Sequence, residues 1–452
     1  MTKDWPSPNI KPFSRLNVTD GLLMNAERWR LAHNYHLMRQ NVHFQSLNQP
    51  GIVCELGVCV ISPPDDLPAQ YRDGRWVQIQ PGIAIDLFGN FIVIDQAIDF
   101  RIVSETNIDE GLMVYLVATY VDPDKLRRRD ETEVVMERFR IDEKNSPPND
   151  HEVELCRILI KPGEVELSSP QEVFYPSFNQ LDLRYRQQAR SRPQSLVRVA
   201  VLASDPEQAY QITQLTYLLQ SVSSLYPALE GISEIGKIVL ESSTTLESLW
   251  EYDLICISEY KAESLQLNEL EILKKYMALG GIVLGEFAAG KTNISQLFAI
   301  KQELEKTIND LGGIEEVAQA LPELEAEFVA ITNELDTKRN QIYDTIGKFA
   351  ENLEINLQFL ANLDRSHLLR NQPFLFAALP TINHQPIELM IGGGMIVVVG
   401  DLSSAWGLDE QLSYSRETIR TAQEMGINIL NFAWRRRQLT QLQLSYKEVV
   451  SR

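Results

Sequence analysis

Two apolar runs constrain the fold of this chain more than any other text in it: Trp250-Glu-Tyr-Asp-Leu-Ile-Cys-Ile-Ser258 and Ala278-Leu-Gly-Gly-Ile-Val-Leu-Gly-Glu-Phe287, with an amphipathic segment between them. Runs this continuously apolar suit strands covered on both faces, and the intervening helical period supplies a crossover, so the text reads strand, loop, helix, glycine turn, strand. That is the repeating unit of an open α/β sheet, whose ligand edge lies at the carboxyl ends of the strands. An enzyme of this architecture would keep its nucleophile there. The loops instead offer Glu259, Tyr260, Lys261, Glu286 and Phe287, with no serine or cysteine beside a histidine.

The same texture predicts the rest of this half. Ser195-Leu-Val-Arg-Val-Ala-Val-Leu202 reads as the opening strand, and residues 208–226 as the first helix, with Ile212, Leu215, Leu218 and Leu219 in a stripe. A strand near Ile238 and a helix over Asn268–Leu279 follow. Sheet text stops between 300 and 365, where two long helical patterns predict a helical hairpin inserted into the α/β domain, the first interrupted by Pro322. Fourteen acidic side chains stand there against six basic ones. The sheet resumes at Pro386–Ile391 and turns through Gly392-Gly-Gly394 into Met395-Ile-Val-Val-Val-Gly400. A helix over 409–425, stopped by Gly426, and a last strand or strand-helix edge over Asn428–Ala433 complete the expectation.

Before this half, Ser191-Arg-Pro-Gln194 reads as a boundary. Residues 51–190 carry short strand texts separated by Pro, Gly and Asp turns, among them Trp76–Gln80, Leu112–Tyr120 and Val153–Ile160, and predict an antiparallel β-rich module. Residues 1–50 form a polar tail and a helical docking segment, capped by Asp20 or, with a later start, by Asn25. The expected organisation is therefore 1–50, 51–190, an α/β domain over 195–295 and 367–434, the helical insertion 300–365, and a polar tail 435–452.

Charge narrows the functional classes. A net charge of -20 over 452 residues opposes phosphate binding by the chain as a whole, and Lys125–Arg129 and Arg435–Arg437 are short basic runs without interleaved aromatics, so no nucleic-acid partner is expected. Cys54, Cys59, Cys156 and Cys256 have no metal-knuckle spacing and read as reduced, buried thiols of a cytoplasmic protein. No basic segment followed by an apolar core opens the chain, and no run reaches the roughly 18 apolar residues of a spanning helix, so no direct membrane insertion is expected.

Four candidate chemistries follow from spacing. Gly285-Glu-Phe-Ala-Ala-Gly-Lys-Thr292 formally matches a phosphate loop, but Glu286 and Phe287 would bring charge repulsion and bulk to the ligand, and a strand-end turn with capping at Thr292 or Asn293 is the simpler account. Asp401, directly after the strongest strand, is the best single polar candidate, with Glu259, Glu286 and Ser404 as neighbours; converging carboxylates could bind a cation or do acid-base work. His33, His36 and His43 share a helical face without a carboxylate partner at a recognised position. His367 and His384 sit in linker-like text. No cofactor and no metal site is expected.

Two resemblances carry further. The C-terminal half, through Trp250–Ser258, Leu267–Leu284, Met395–Trp406 and Ala422–Ile429, resembles a family of uncharacterised bacterial α/β domains related in shape to the glutamine-amidotransferase-like fold. Members carry Gly-His-Gly-like text after the third strand; Glu259-Tyr-Lys261 departs from it, and the amidotransferase cysteine is absent. The N-terminal half, through Val18-Thr-Asp-Gly-Leu-Leu-Met-Asn-Ala-Glu27, Tyr35–Gln40, Pro50–Val58 and Val77-Gln-Ile-Gln-Pro-Gly-Ile-Ala-Ile-Asp-Leu-Phe-Gly-Asn90, resembles a module of phage-tail and contractile-injection baseplate-associated proteins. That resemblance implies a non-catalytic structural adaptor, with other particle subunits as partners through Asp20, Trp29 and Tyr35. The insertion adds Phe349, Leu353 and Leu357 as interaction residues, with self-association through it as one use. Such a chain would be cytoplasmic, within a particle that can itself sit at a membrane. The alternative is a hydrolase or amidotransferase-like enzyme using Asp401, Glu259 and Glu286.

Overall fold

The structure, a computed structural model, describes residues 12–65, 67–107, 110–122, 136–163, 165–203, 205–240, 246–287, 294–311, 321–408 and 413–443. The chain divides into two compact units, one ending at Arg192 and the other beginning at Pro193.

The first unit joins one long helix to antiparallel sheets. Helix α1 (Ala26–Leu47) is capped by Asn25, whose side chain accepts from the Arg28 N–H at 2.9 Å, so the later of the two predicted starts is the real one and Asp20 lies exposed in a turn outside the helix. One sheet orders Leu181–Asp182, Glu152–Ile160, Leu112–Val121 and Arg138–Lys144; two three-stranded sheets are built from residues 51–101. All their pairings are antiparallel, and Ile52, Val77, Ile79, Ile92, Val114, Leu155 and Ile158 fill a common core. Cys54, expected to be buried, is exposed: it lies on a strand whose last three residues face solvent.

The turn at residues 86–90 is the seat of α1. Asp86 is buried, and its carboxylate accepts from the N–H groups of Phe88 (2.9 Å) and Asn90 (2.8 Å) and from the Asn90 amide (2.8 Å). Gln45 on α1 donates to the Phe88 carbonyl at 2.8 Å, and Asn41 to the Asn90 side chain at 3.3 Å. Gly89, at φ +87°, lets the helix come so close that a Cβ there would lie 3.1 Å from the Asn41 Cα. No α1 residue is fully buried.

The second unit is an α/β domain. Its parallel strands are β1 (Val199–Leu202), β2 (Gly236–Ile238), β3 (Leu254–Ser258), β4 (Ile282–Phe287) and, later, β7 (Met395–Val399); β5 (Gln358–Phe359) and β6 (Glu388–Gly392) are antiparallel additions. Among the described residues the order across the sheet is β2-β1-β3-β4-β7-β6-β5. The turn from β6 into β7 uses Gly393 and Gly394, both at positive φ. Alternate residues of each parallel strand enter two separate cores. Val199, Val201, Leu254, Cys256, Ile396 and Val398 pack under α2 (Gln208–Leu225) and the last helix; Ala200, Leu202, Ile255, Ile257, Val397 and Val399 pack under the helices of the other face. Those are α3 (Glu259–Ser264), α4 (Leu267–Ala278), α5 (Ile294–Leu311) and α6 (Leu321–Asn352).

The helices of the insertion and the carboxyl-terminal helix depart from the expectation. Residues 314–320 of the first expected helix lie outside the described residues, and from Leu321 on the chain is helical through Pro322. The helix then runs to Asn352, and residues 358–362 are strand and 3-10 turn rather than helix. Gly426 does not stop a helix. It lies inside α7 (Arg416–Gln443), which absorbs the expected strand at 428–433 and the start of the expected tail. A Cβ at Gly426 would meet Leu218 at 2.6 Å and the Trp406 indole nitrogen at 2.9 Å, so glycine is there for close packing. Past it, Asn428 is fully buried and satisfied, accepting from Phe374 N–H (2.9 Å) and donating to the Leu369 (2.9 Å) and Phe374 (2.7 Å) carbonyls. Arg436 then donates to the Met277 and Gly281 carbonyls at the end of α4.

Because Asp86 satisfies three donors at the α1 seat, Asp86→Ala should destabilise the first unit by about 2–4 kcal/mol. Urea unfolding checks this, and wild-type stability in the variant would refute the seat.

Candidate functional site at the carboxyl edge of the sheet

In the order β2-β1-β3-β4-β7, the chain leaves β1 first toward β2 on one side and then continues from β3 on the other. The crevice between the carboxyl ends of β1 and β3 is therefore the topological switch point, where an open α/β sheet takes a ligand. Here side chains of the protein bridge it. Asp205, just past β1, accepts from Ser258 Oγ and Ser258 N–H at the end of β3, both at 2.8 Å, and from the Glu207 N–H at 2.9 Å. Asp205 and Ser258 are both buried. Ser258 also caps α3, its Oγ accepting from the Lys261 N–H. Lys261 is itself buried, paired with Glu269 at 2.9 Å, and the other Glu269 oxygen accepts from the Gln266 N–H at 2.7 Å to start α4.

The neighbouring strand ends carry the two carboxylates that the sequence pointed to. Glu286 is the penultimate residue of β4, and its Oε1 accepts from the Ser403 N–H at 2.8 Å. Asp401 follows β7 across Gly400, whose φ of +117° permits the abrupt exit from the strand. Burial, and then the Asp401 charge, push the Glu286 carboxyl up to about 8. Asp401 is also raised, by burial first, with Ser404 hydrogen bonding pulling it back and Glu207 adding to it. Two carboxyls placed so each make ionisation of the other less favourable. On the first turn of α2, burial and the Asp401 and Glu286 charges raise the Tyr210 phenol. Burial raises the Cys256 thiol on β3, with Glu286 adding to it, so this cysteine stays protonated.

The structure thus brings Glu286 and Asp401 together. Glu259 is placed one residue beyond Ser258, half-buried on the first turn of α3. Ser404 donates to the Asp401 carbonyl at 2.8 Å and lies 2.9 Å from the Tyr414 hydroxyl, which accepts from Asn383. His367 caps a short helix at 368–371 and His384 lies 2.9 Å from the Gln302 side chain. The phosphate-loop spacing is seen only over Gly285–Phe287; residues 288–293 lie outside the described residues, and Phe287 is a core residue with its ring 6.5 Å from that of Phe349. Among the described residues no group of three His, Cys, Asp or Glu side chains converges to hold a metal ion. A groove of about 630 Å³ lies elsewhere in this unit, between Arg339, Tyr343, Phe359, Ile387 and Glu388, and its Arg339 and Tyr343 both hydrogen-bond to Glu388.

Of the expected interaction residues, Asp20 and Trp29 are exposed, and Tyr35 is half-buried with its ring edge-on to Phe13 and under Arg39. Phe349 and Leu353 are buried in the core under the sheet and Leu357 packs partly against it, so the first two present no surface to a partner. Sequence reasoning missed Asp205, Ser258 and Tyr210. The rule that found Asp401, a polar residue at the end of an apolar strand, also marks Asp205 after Val199–Leu202 and Ser258 after Leu254–Ile257.

No family profile and no curated protein matches the chain. A solved structure titled "Crystal structure of TssK" is similar to it at 14% sequence identity with a TM-score of 0.26, covering 47% of this chain and 48% of that one. The chain thus spans about half the length of that protein, and a likeness of this degree carries no argument.

The raised Glu286 gives a signed pH dependence. A carboxyl held above its ordinary value of 4.5 binds its proton more tightly when folded, so its stabilising contribution is complete below about pH 4.5 and is lost as pH rises toward 8. Glu286→Gln should flatten the fall in urea midpoint across that window; a variant whose profile parallels the wild type would show that Glu286 is not the group responsible.

Proposed function

We propose that this chain is a non-catalytic structural adaptor of a contractile, phage-tail-like injection particle, docking at the baseplate through its N-terminal module. The observation that carries the reading is α1, a 22-residue helix with no fully buried residue, which leaves Trp29, Leu31, Leu37 and Met38 exposed. Val18, Leu23 and Met24 are exposed just ahead of it. Apolar surface gathered on one element is the mark of a contact surface. In a chain of net charge -20, residues 12–47 carry Arg15, Arg28, Arg30 and Arg39 against Asp20 and Glu27, so the docking element differs in sign from the whole.

The resemblance of residues 13–100 to baseplate-associated modules supplies the kind of assembly. The Asp86 turn that seats α1 falls within that text. The carboxyl edge supports the non-catalytic part: Asp205 and Ser258 satisfy one another across the crevice where a ligand would lie. In this reading the chain acts from the cytoplasm. Among the described residues no helix is long and apolar enough to cross a membrane. The raised pair Glu286 and Asp401 favours a second reading, a carboxylate-dependent hydrolase, in which Glu286 would hold the transferable proton.

Particles purified from cells lacking the chain should miss a layer of density or fail to assemble. Trp29→Asp with Met38→Asp should leave the fold intact, because both side chains are exposed, and abolish incorporation, whereas Glu286→Gln should incorporate normally. Normal particles without the chain, or full incorporation of the helix variant, would remove the adaptor reading.

A further inference from the structure

The helical insertion shows a second surface of a different character. Along α6 the apolar residues Leu321, Leu324, Phe328, Ile331 and Leu335 recur at alternating three- and four-residue steps, the spacing of a coiled-coil seam. The seam continues through Ile342, Ile346 and Phe349, buried under the sheet; Leu335 is buried too, but the four residues before it are only half-buried although α5 packs beside them. On α5, Leu297 is buried, while Leu304, Ile308 and Leu311 are half-buried. Lys301 lies 5.4 Å over the Phe328 ring and fixes the level at which the two helices face each other. Ile300 and Val329, adjoining that pair, are 40% and 55% exposed. Two helices leave this stretch of seam incompletely covered.

Charge selects what would cover it. Over residues 300–311 and 321–335 the exposed carboxylates are three on α5 and four on α6, with Glu323, Glu325 and Glu327 at successive alternate positions; Lys301 and Lys306 are the described cations of the same stretch. A second copy of the insertion would bring like charge against like, and a neutral helix would leave the carboxylates uncompensated.

We propose that this distal part of the α5–α6 pair is a docking site for a basic amphipathic helix of another chain, which lies along the seam as a third helix with its cations against the α6 carboxylates. This deepens the adaptor reading and rests on it for the origin of the helix in another particle subunit; the binding itself is measurable without any particle.

The test uses the full-length chain and three synthetic peptides of about 21 residues, three heptads long: a Lys–Leu amphipathic helix, a scramble of the same composition, and a Glu–Leu counterpart. The Lys–Leu peptide should bind about tenfold or more tighter than the scramble and weaken with salt, and the Glu–Leu peptide should not bind. The combined change Glu323→Lys, Glu325→Lys and Glu327→Lys should cost about tenfold in affinity with unchanged circular dichroism, and the matching three-glutamine variant should fall between. Equal binding of the scramble, or full affinity in the charge-reversed variant, would overturn the proposal, as would a wild-type dimer in sedimentation that those reversals dissociate or strengthen. Normal particles in the absence of the chain would remove the adaptor reading while leaving these affinities untouched.

Discussion

Burial of the parallel strands on both faces organises the second unit. Strands such as Leu254–Ser258 and Met395–Val399 show no solvent-facing side, so each requires helices above and below before its backbone can leave water. On one face α2 and α7 meet this requirement. On the other, α4 is short, and the sheet-proximal ends of α5 and α6 complete the cover with Ile294, Leu297, Ile342, Ile346 and Phe349. The insertion is thus a structural layer at its base. Only the stretch of α6 before Leu335, with the part of α5 beside it, is free of that duty, which is why the same pair of helices can be core at one end and surface at the other.

This division also explains how far the sequence was legible. Strand positions were readable because a run like Val-Ala-Val-Leu has one use in a protein of this composition, and the return of such text after residue 386 disclosed an insertion. The errors fall where a tertiary contact overrides a local preference. Gly426 has the look of a helix stop, but Leu218 and Trp406 press against it, and Asn428 beyond it finds partners in the chain at 369–374. The choice between Asp20 and Asn25 as a cap is settled by a local bond, the Asn25 side chain accepting from the Arg28 N–H, and the sequence offered a capping residue at both places.

The carboxyl edge shows the same limit in chemical form. Asp401 and Glu286 stood out in sequence because they end strong strands, and the structure places their charges within reach of each other. The bridge between Asp205 and Ser258 was not readable, since it depends on β1 and β3 being neighbours in the sheet, and nothing in either local sequence states that. Adjacent strand ends therefore behave differently: at one, Ser258 donates two hydrogen bonds to Asp205, and at the next, burial raises both carboxyls above their ordinary values.

The seat of α1 has a mechanical consequence. The helix is held near its carboxyl end by Gln45 and Asn41 on the 86–90 turn, leaving roughly fifteen residues, about 22 Å, between that anchorage and Ala26. A force applied at Trp29 acts on a beam clamped at one end, and the bending moment reaches the buried Asp86 carboxylate and its three donors. Load taken up by the arm is thereby shared between that turn and the 190–192 segment, which pairs with Asn48–Gln49 and donates to the Leu47 and Gln45 carbonyls, so a pull at the tip is felt as torque inside the module.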